Sequence, residues 1–153
     1  MIALKDKPLK EVILRRYEKP SVEIGDRELI RKFCLSLGLL QPGDKRDIIV
    51  DILHVLLLAK EPLSISEIKQ KCAESRKLHN LSIKGLAESN LRRQLKRLKD
   101  LYLIEKIGNA YYMTENLSLE EILNSKIKVF LVDHIFERIV EYARCLDSIK
   151  KNV

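Results

Sequence analysis

Tryptophan is absent from the 153 residues and aromatics make up only 5% of them. Glycine (5) and proline (4) are as scarce, which excludes a fibrous or low-complexity chain. The three cysteines, Cys34, Cys72 and Cys145, are odd in number, far apart and form no C-x-x-C pair. A secreted disulfide scaffold and a cysteine-based zinc ribbon are both disfavoured, and a reducing cytoplasm is the expected compartment. No stretch reaches the ~20 apolar residues that a spanning helix requires. The longest candidate, Ile48 to Ala59, is interrupted by Asp51 and His54. The first ten residues carry Lys5, Lys7 and Lys10 before any apolar run develops, so no targeting segment is expected.

What is present is a folding composition with an uneven charge. Hydrophobic residues make 46% and charged residues 33%, in a length that suits one domain with its own core. The formal net charge is +7. Residues 1–43 contribute +3 and residues 44–113 contribute +5, whereas residues 114–153 come to −1. Between Ser89 and Lys99 stand Arg92, Arg93, Lys96, Arg97 and Lys99 with no acid, a concentrated patch that suits a polyanionic partner.

Periodicity and punctuation predict a mainly helical chain. Pro8 opens a short helical stretch closed by Pro20 and Gly25, with Leu9, Val12 and Ile13 on one face. Asp26 reads as the N-cap of a helix over Arg27 to Leu40. After the Gln41-Pro42-Gly43 turn, Asp44 caps a helix to about Lys60, striped by Ile48, Ile49, Ile52, Leu56 and Ala59. Ser64-Ile65-Ser66-Glu67 is a capping-box pattern for a helix to about Arg76. Ser89 caps another over Asn90 to Leu101. Tyr102 to Lys106 and Tyr111 to Thr114 read as strands about a Gly108-Asn109 turn, since that dipeptide supplies the positive φ a tight hairpin needs. Ser118 with Glu121 forms a second capping box, and Lys126 to Lys151 is one long helix without Gly or Pro.

The order helix, helix, basic helix, hairpin over residues 44–114 resembles the winged helix-turn-helix superfamily, in particular small archaeal and bacterial transcription regulators. The stretch that carries the resemblance runs from Asn90-Leu91-Arg92-Arg93-Gln94-Leu95 through Leu103-Ile104-Glu105-Lys106 to the Gly108-Asn109 turn and Tyr111-Tyr112-Met113-Thr114. It implies a mainly α fold with a small β-hairpin wing, flanked by N-terminal helices and a long C-terminal helix. Three regions follow: an N-terminal helical extension over 1–43, a DNA-binding domain over 44–115 and a C-terminal dimerisation segment over 116–153. Such regulators often carry Gly at the helix exit where this chain has Tyr102, for which a left-handed cap costs about 1 kcal/mol.

Taken alone, the basic helix agrees with that resemblance. Leu91, Leu95 and Leu98 cluster on one side, opposite Ser89, Arg93, Lys96, Arg97 and Asp100, with Arg92 on one flank and Asn90 and Gln94 on the other. A helix fits the ~12 Å major groove of duplex DNA, where Arg bridges guanine and Asn or Gln pairs with adenine. Arg93 and Gln94 are the base-reading candidates. Arg92, Lys96, Arg97 and Lys99 suit phosphates, and the Ser89 helix start offers backbone N–H groups to an anion. The resemblance puts Lys106 and Asn109 of the wing on the backbone or in the minor groove. The expected partner is double-stranded DNA; the alternative is a winged-helix interaction module whose basic helix meets an acidic protein.

The trailing helix repeats Val129, Val132, Phe136, Ile139, Ala143 and Leu146 at the alternating three-four spacing of a coiled-coil seam. Leu131, Ile135, Tyr142 and Ile149 add a second stripe, too wide a surface for one small domain, so a homodimer is expected. Catalysis finds no support: no Gly-rich phosphate loop, nucleophile elbow or metal-binding His pair occurs. His54 and His134 read as core histidines. No metal or cofactor is expected, and no effector pocket can be read from the residues.

Overall fold

The computed structural model describes residues 5–153. Helices α1 (Asp26–Ser36) and α2 (Ile48–Leu58) precede a two-residue strand β1 (Leu63–Ser64), followed by α3 (Ile65–Leu78) and α4 (Glu88–Asp100). Strands β2 (Ile104–Ile107) and β3 (Ala110–Met113) follow, then a 3₁₀ turn (Thr114–Asn116). The last helix, α5, runs through the segments Leu119–Ile122, Leu123–Asp133 and His134–Lys151. The protein is thus mainly helical with one small antiparallel sheet of order β1-β3-β2. Two compact units divide it: Ile13–Leu119, and residues 5–12 together with Glu120–Val153.

Within the larger unit the core forms around α2, which is apolar on nearly every side and therefore has to be enclosed. It buries Ile48, Ile49, Val50, Ile52, Leu53 and Leu56. Packed with them are Ile30, Cys34 and Leu35 of α1, Ile68 and Cys72 of α3, and Leu91, Leu95 and Leu98 of α4. Each fully buried Leu or Ile is worth roughly 1.5–3 kcal/mol against exposure.

Capping chemistry sets the helix boundaries, and in several places it departs from the periodicity. The segment from Pro8 to Pro20 is not helical. Its Arg15 instead satisfies carbonyls around the end of α1: the backbone N–H donates to Ser36 O at 2.9 Å, and the guanidinium to Leu35 O at 2.8 Å and Leu40 O at 3.0 Å. The α1 helix stops at Ser36, short of Leu40, because Gly38 takes φ +71° and the N–H groups of Leu39 and Gly38 turn back to Cys34 O and Leu35 O. A Cβ at Gly38 would lie 2.6 Å from Cβ of Ile13, so the crossing needs glycine for room as well as for φ. Asp26 lies inside the first turn and Gly25 is the N-cap. Asp44 does not cap α2; its carboxylate accepts from the Gln41 N–H at 2.9 Å and fastens the preceding turn, and α2 starts four residues later at Ile48.

Both halves of the capping box form on α3, Glu67 N–H to Ser64 Oγ and Ser64 N–H to Glu67 Oε1, as expected. Helix α4 begins at Glu88 behind Ala87, which puts Ser89 in the first turn and not at the cap. The hairpin forms with Ile107 opposite Ala110. Positive φ falls on Gly108 alone of the turn pair, which is the type II′ demand. Tyr102 does adopt the left-handed cap, φ +64°, with Leu103 N–H bonded to Leu98 O and Thr114 Oγ1 donating to Tyr102 O. Strand β1 was not foreseen; it pairs with β3 through Leu63 and Ser64.

Helix α5 keeps α-helical dihedrals where its segments join, at Ile122, Asp133 and His134, while Leu123–Asp133 has wider i→i+5 bonding. Ile122, Ile127 and Leu131 are buried, whereas His134–Lys151 buries no residue. His134 is exposed, against the core position expected of it, with Nδ1 2.8 Å from Lys10 Nζ. Among the described residues no helix is long and apolar enough to cross a membrane.

Burial separates the cysteines. It pushes the Cys34 and Cys72 thiols up to about 12, while Cys145 is exposed on α5. One thiol per chain is expected to react promptly with a neutral alkylating reagent at pH 8, and two more only on unfolding; mass spectrometry of the native and denatured reactions checks this. Prompt modification of all three would contradict the burial of Cys34 and Cys72.

Candidate nucleic-acid interface

Helix α4 exists because its apolar residues fall on one side: Leu91, Leu95 and Leu98 are fully buried. Arg92, Arg93, Lys96 and Lys99 are consequently exposed. Asn90 organises the first turns. Its Nδ2 donates to Gly85 O at 2.7 Å, and its Oδ1 accepts from the Arg93 guanidinium at 2.7 Å and from Gln94 Nε2 at 3.3 Å. The two base-reading candidates are thus tied to one amide oxygen, which limits their rotamer freedom. Gln94 is half-buried and its Oε1 accepts from Arg97.

The remaining basic residues separate by their partners. Lys96 pairs with Asp100 at 2.7 Å and Arg92 with Glu88 at 3.7 Å, one helical turn away and largely in water, where such pairs are weak. Arg97 differs: its second guanidinium nitrogen donates to Leu39 O at 2.8 Å, which fastens α4 to the connection after α1. Ser89 is exposed in the first turn. Lys99 lines a cleft with Tyr102, Glu105 and Lys106. Lys106 holds its ammonium 5.7 Å from the centre of the Tyr111 ring, and Asn109 lies at the hairpin tip.

Behind α4 lies an ion cluster that periodicity did not disclose. Asp51, fully buried, accepts from Arg76 at 2.6 Å and from Arg27 at 3.2 Å. Asp47 accepts from the same two arginines, at 3.1 Å and 2.9 Å. Arg76 also donates through Nε to Ser82 O, in the loop leading to α4. The four side chains therefore tie α1, α2, α3 and that loop together. Burial disfavours the charges of Arg27 and Asp47, yet the pairing outweighs it and holds the Asp47 carboxyl below its ordinary value and Arg27 above. The available signal was Asp51 inside a largely apolar run, with Asp47 four residues before it.

Sequence reasoning also passed over the exposed face of α3. Lys69 and Lys77 line a groove of about 640 Å³ opposite Ile83 to Glu88, beside the start of α4. Among the described residues no group of three potential ligands stands close enough to hold a metal ion. His54 is half-buried on α2, and His79 Nδ1 lies 2.8 Å from Ser75 O. Comparison with family models, curated proteins and solved structures gave no match.

Proposed function

We propose that the chain is a winged helix-turn-helix transcription regulator that binds double-stranded DNA sequence-specifically as a homodimer. In this reading α4 enters the major groove and the β2–β3 hairpin is the wing. One observation carries it: α4 buries its three leucines and turns Arg92, Arg93, Lys96 and Lys99 outward beside a hairpin that presents Lys106. Cations in such a row neutralise phosphates, and Arg93 and Gln94 are the side chains with the chemistry to read bases. The test is fluorescence anisotropy of a labelled random duplex at several salt concentrations. Affinity should fall linearly on a log-log plot, because phosphate contacts release counterions. No binding at low salt would refute the proposal and favour an acidic protein as partner of the basic helix.

The homodimer rests on α5. Phe136, Ile139 and Leu146 are each more than half exposed, in register with the seam that begins at Val129 and Val132 and includes Ala143; Ile149 of the second stripe is more than half exposed as well. Two-fold pairing along this seam would match half-sites about one DNA turn, ~34 Å, apart. Sedimentation equilibrium at micromolar concentration should give two chains, and Ile139→Asp/Leu146→Asp should give one. A wild-type mass of one chain would eliminate the dimer.

A further inference from the structure

We infer that the second apolar stripe of α5 is a self-complementary surface that joins two of the proposed dimers, antiparallel, into a four-chain bundle. The inference rests on the dimer reading. Leu131, Ile135 and Tyr142 each stand one position before a seam residue, Val132, Phe136 and Ala143, and Ile149 continues their seven-residue spacing. One residue turns a helix by about 100°, so the stripe lies roughly a quarter-turn from the seam. A two-stranded pairing covers the seam alone, whereas an apolar stripe beside it is the pattern of a helix with two neighbours. The chain itself covers the stripe only at its start. Leu131 is 7% exposed and Ile135 is half-buried, but Tyr142 is 68% and Ile149 62% exposed. Residues 6–12, of the same compact unit, form no helix that could lie over them.

The charges of α5 fit it to a second copy of itself. From His134 to Glu141 it carries Glu137 and Glu141 against Arg138, a net −1, with Arg138 and Glu141 paired at 3.1 Å. From Ala143 to Lys151 it carries Arg144, Lys150 and Lys151 against Asp147, a net +2. A parallel neighbour would set Lys150 and Lys151 beside their own counterparts. An antiparallel neighbour brings them to the half that carries Glu137 and opposes the two helix dipoles. The apolar spacing suits the same crossing, because Ile135 and Ile149 stand seven residues either side of Tyr142. Antiparallel helices that cross at Tyr142 therefore set each Ile135 against an Ile149. A contact of this kind is isologous, and two isologous faces on one helix close at four copies. Four chains present two DNA-binding pairs, one for each of two operator sites.

The experiment combines sedimentation equilibrium of the full chain, from micromolar to submillimolar concentration, with oxidative cross-linking of Ile135→Cys and Ile149→Cys chains in a Cys145→Ser background. Wild type should pass from two chains to four as concentration rises. Tyr142→Glu/Ile149→Glu, at positions outside the core, should stay at two. At the higher concentration, cross-links should form in a mixture of the two cysteine variants and in neither alone. If wild type stays at two chains throughout, or the glutamate variant still reaches four, the second interface is overturned and the dimer stands. Cross-linking of either cysteine variant with itself, or none in the mixture, would overturn the antiparallel arrangement. A wild-type mass of one chain at every concentration removes the dimer and this inference with it.

Discussion

Asp51→Ala is expected to cost about 3–5 kcal/mol of folding stability, the penalty for removing one member of a buried ion pair. The side chain has no exposure and accepts from Arg76 and Arg27 together. Its loss leaves an almost fully buried guanidinium with Asp47 and the Ser82 carbonyl as partners. At roughly 2–4 °C per kcal/mol for a chain of this size, the melting temperature should drop by about 6–20 °C. Loss of less than about 1 kcal/mol would show that the cluster is solvated in solution. The same cluster makes the protein acid-labile. Because Asp47 is held below its ordinary value of 3.8, its contribution is present above that pH and is lost as pH falls through the folded-state value. The urea midpoint should therefore decline in this acid range, and Asp47→Asn, already weaker at neutral pH, should decline less.

Arg93→Ala/Lys96→Ala is expected to weaken duplex binding by about one to three orders of magnitude, with little change in stability. Both side chains are exposed and neither supports the core. Their losses should be separable: the Lys96 change lowers the salt slope by about one, whereas the Arg93 change relaxes discrimination at one base position by about 1–3 kcal/mol. Anisotropy against a selected site and a random duplex measures both. Equal affinity of variant and wild type on the selected site would remove α4 from the groove. Arg97→Ala is a poorer probe, since its bond to Leu39 O makes it report on packing as well as on DNA.

Local chemistry was legible and long-range chemistry was not. The Ser64/Glu67 capping box, the Gly108 turn and the leucine side of α4 are decided by residues within one or two turns of each other, so spacing alone exposed them. The apolar rhythm through Leu37 and Leu40 concealed the end of α1: both residues are buried, but Leu37 is the C-cap and Leu40 lies in the connection past Gly38. Strand β1 has two residues and exists only through its pairing with β3. Asp51 is explained by arginines 24 and 25 positions away, which no periodicity reveals. At the candidate site, the sequence identified which face of α4 is basic; that Asn90 restrains Arg93 and Gln94, or that Arg97 turns to Leu39, needed coordinates.

The bonds that cross the Gln41–Gly43 turn bear on how short a chain could fold. A polypeptide begun at Asp44 would retain α2, α3, α4 and the hairpin, and by topology alone would look self-sufficient. It would nevertheless leave Asp47 and Asp51 without Arg27, deprive Arg97 of the Leu39 carbonyl and open the face of α2 that Cys34 and Leu35 cover. Arg15 and the tight passage of Ile13 over Gly38 extend the requirement further toward the N-terminus. A piece begun at Asp44 is therefore expected to be less stable than one begun near Ile13, because α1 is as much part of the interior of the larger unit as the helices that follow.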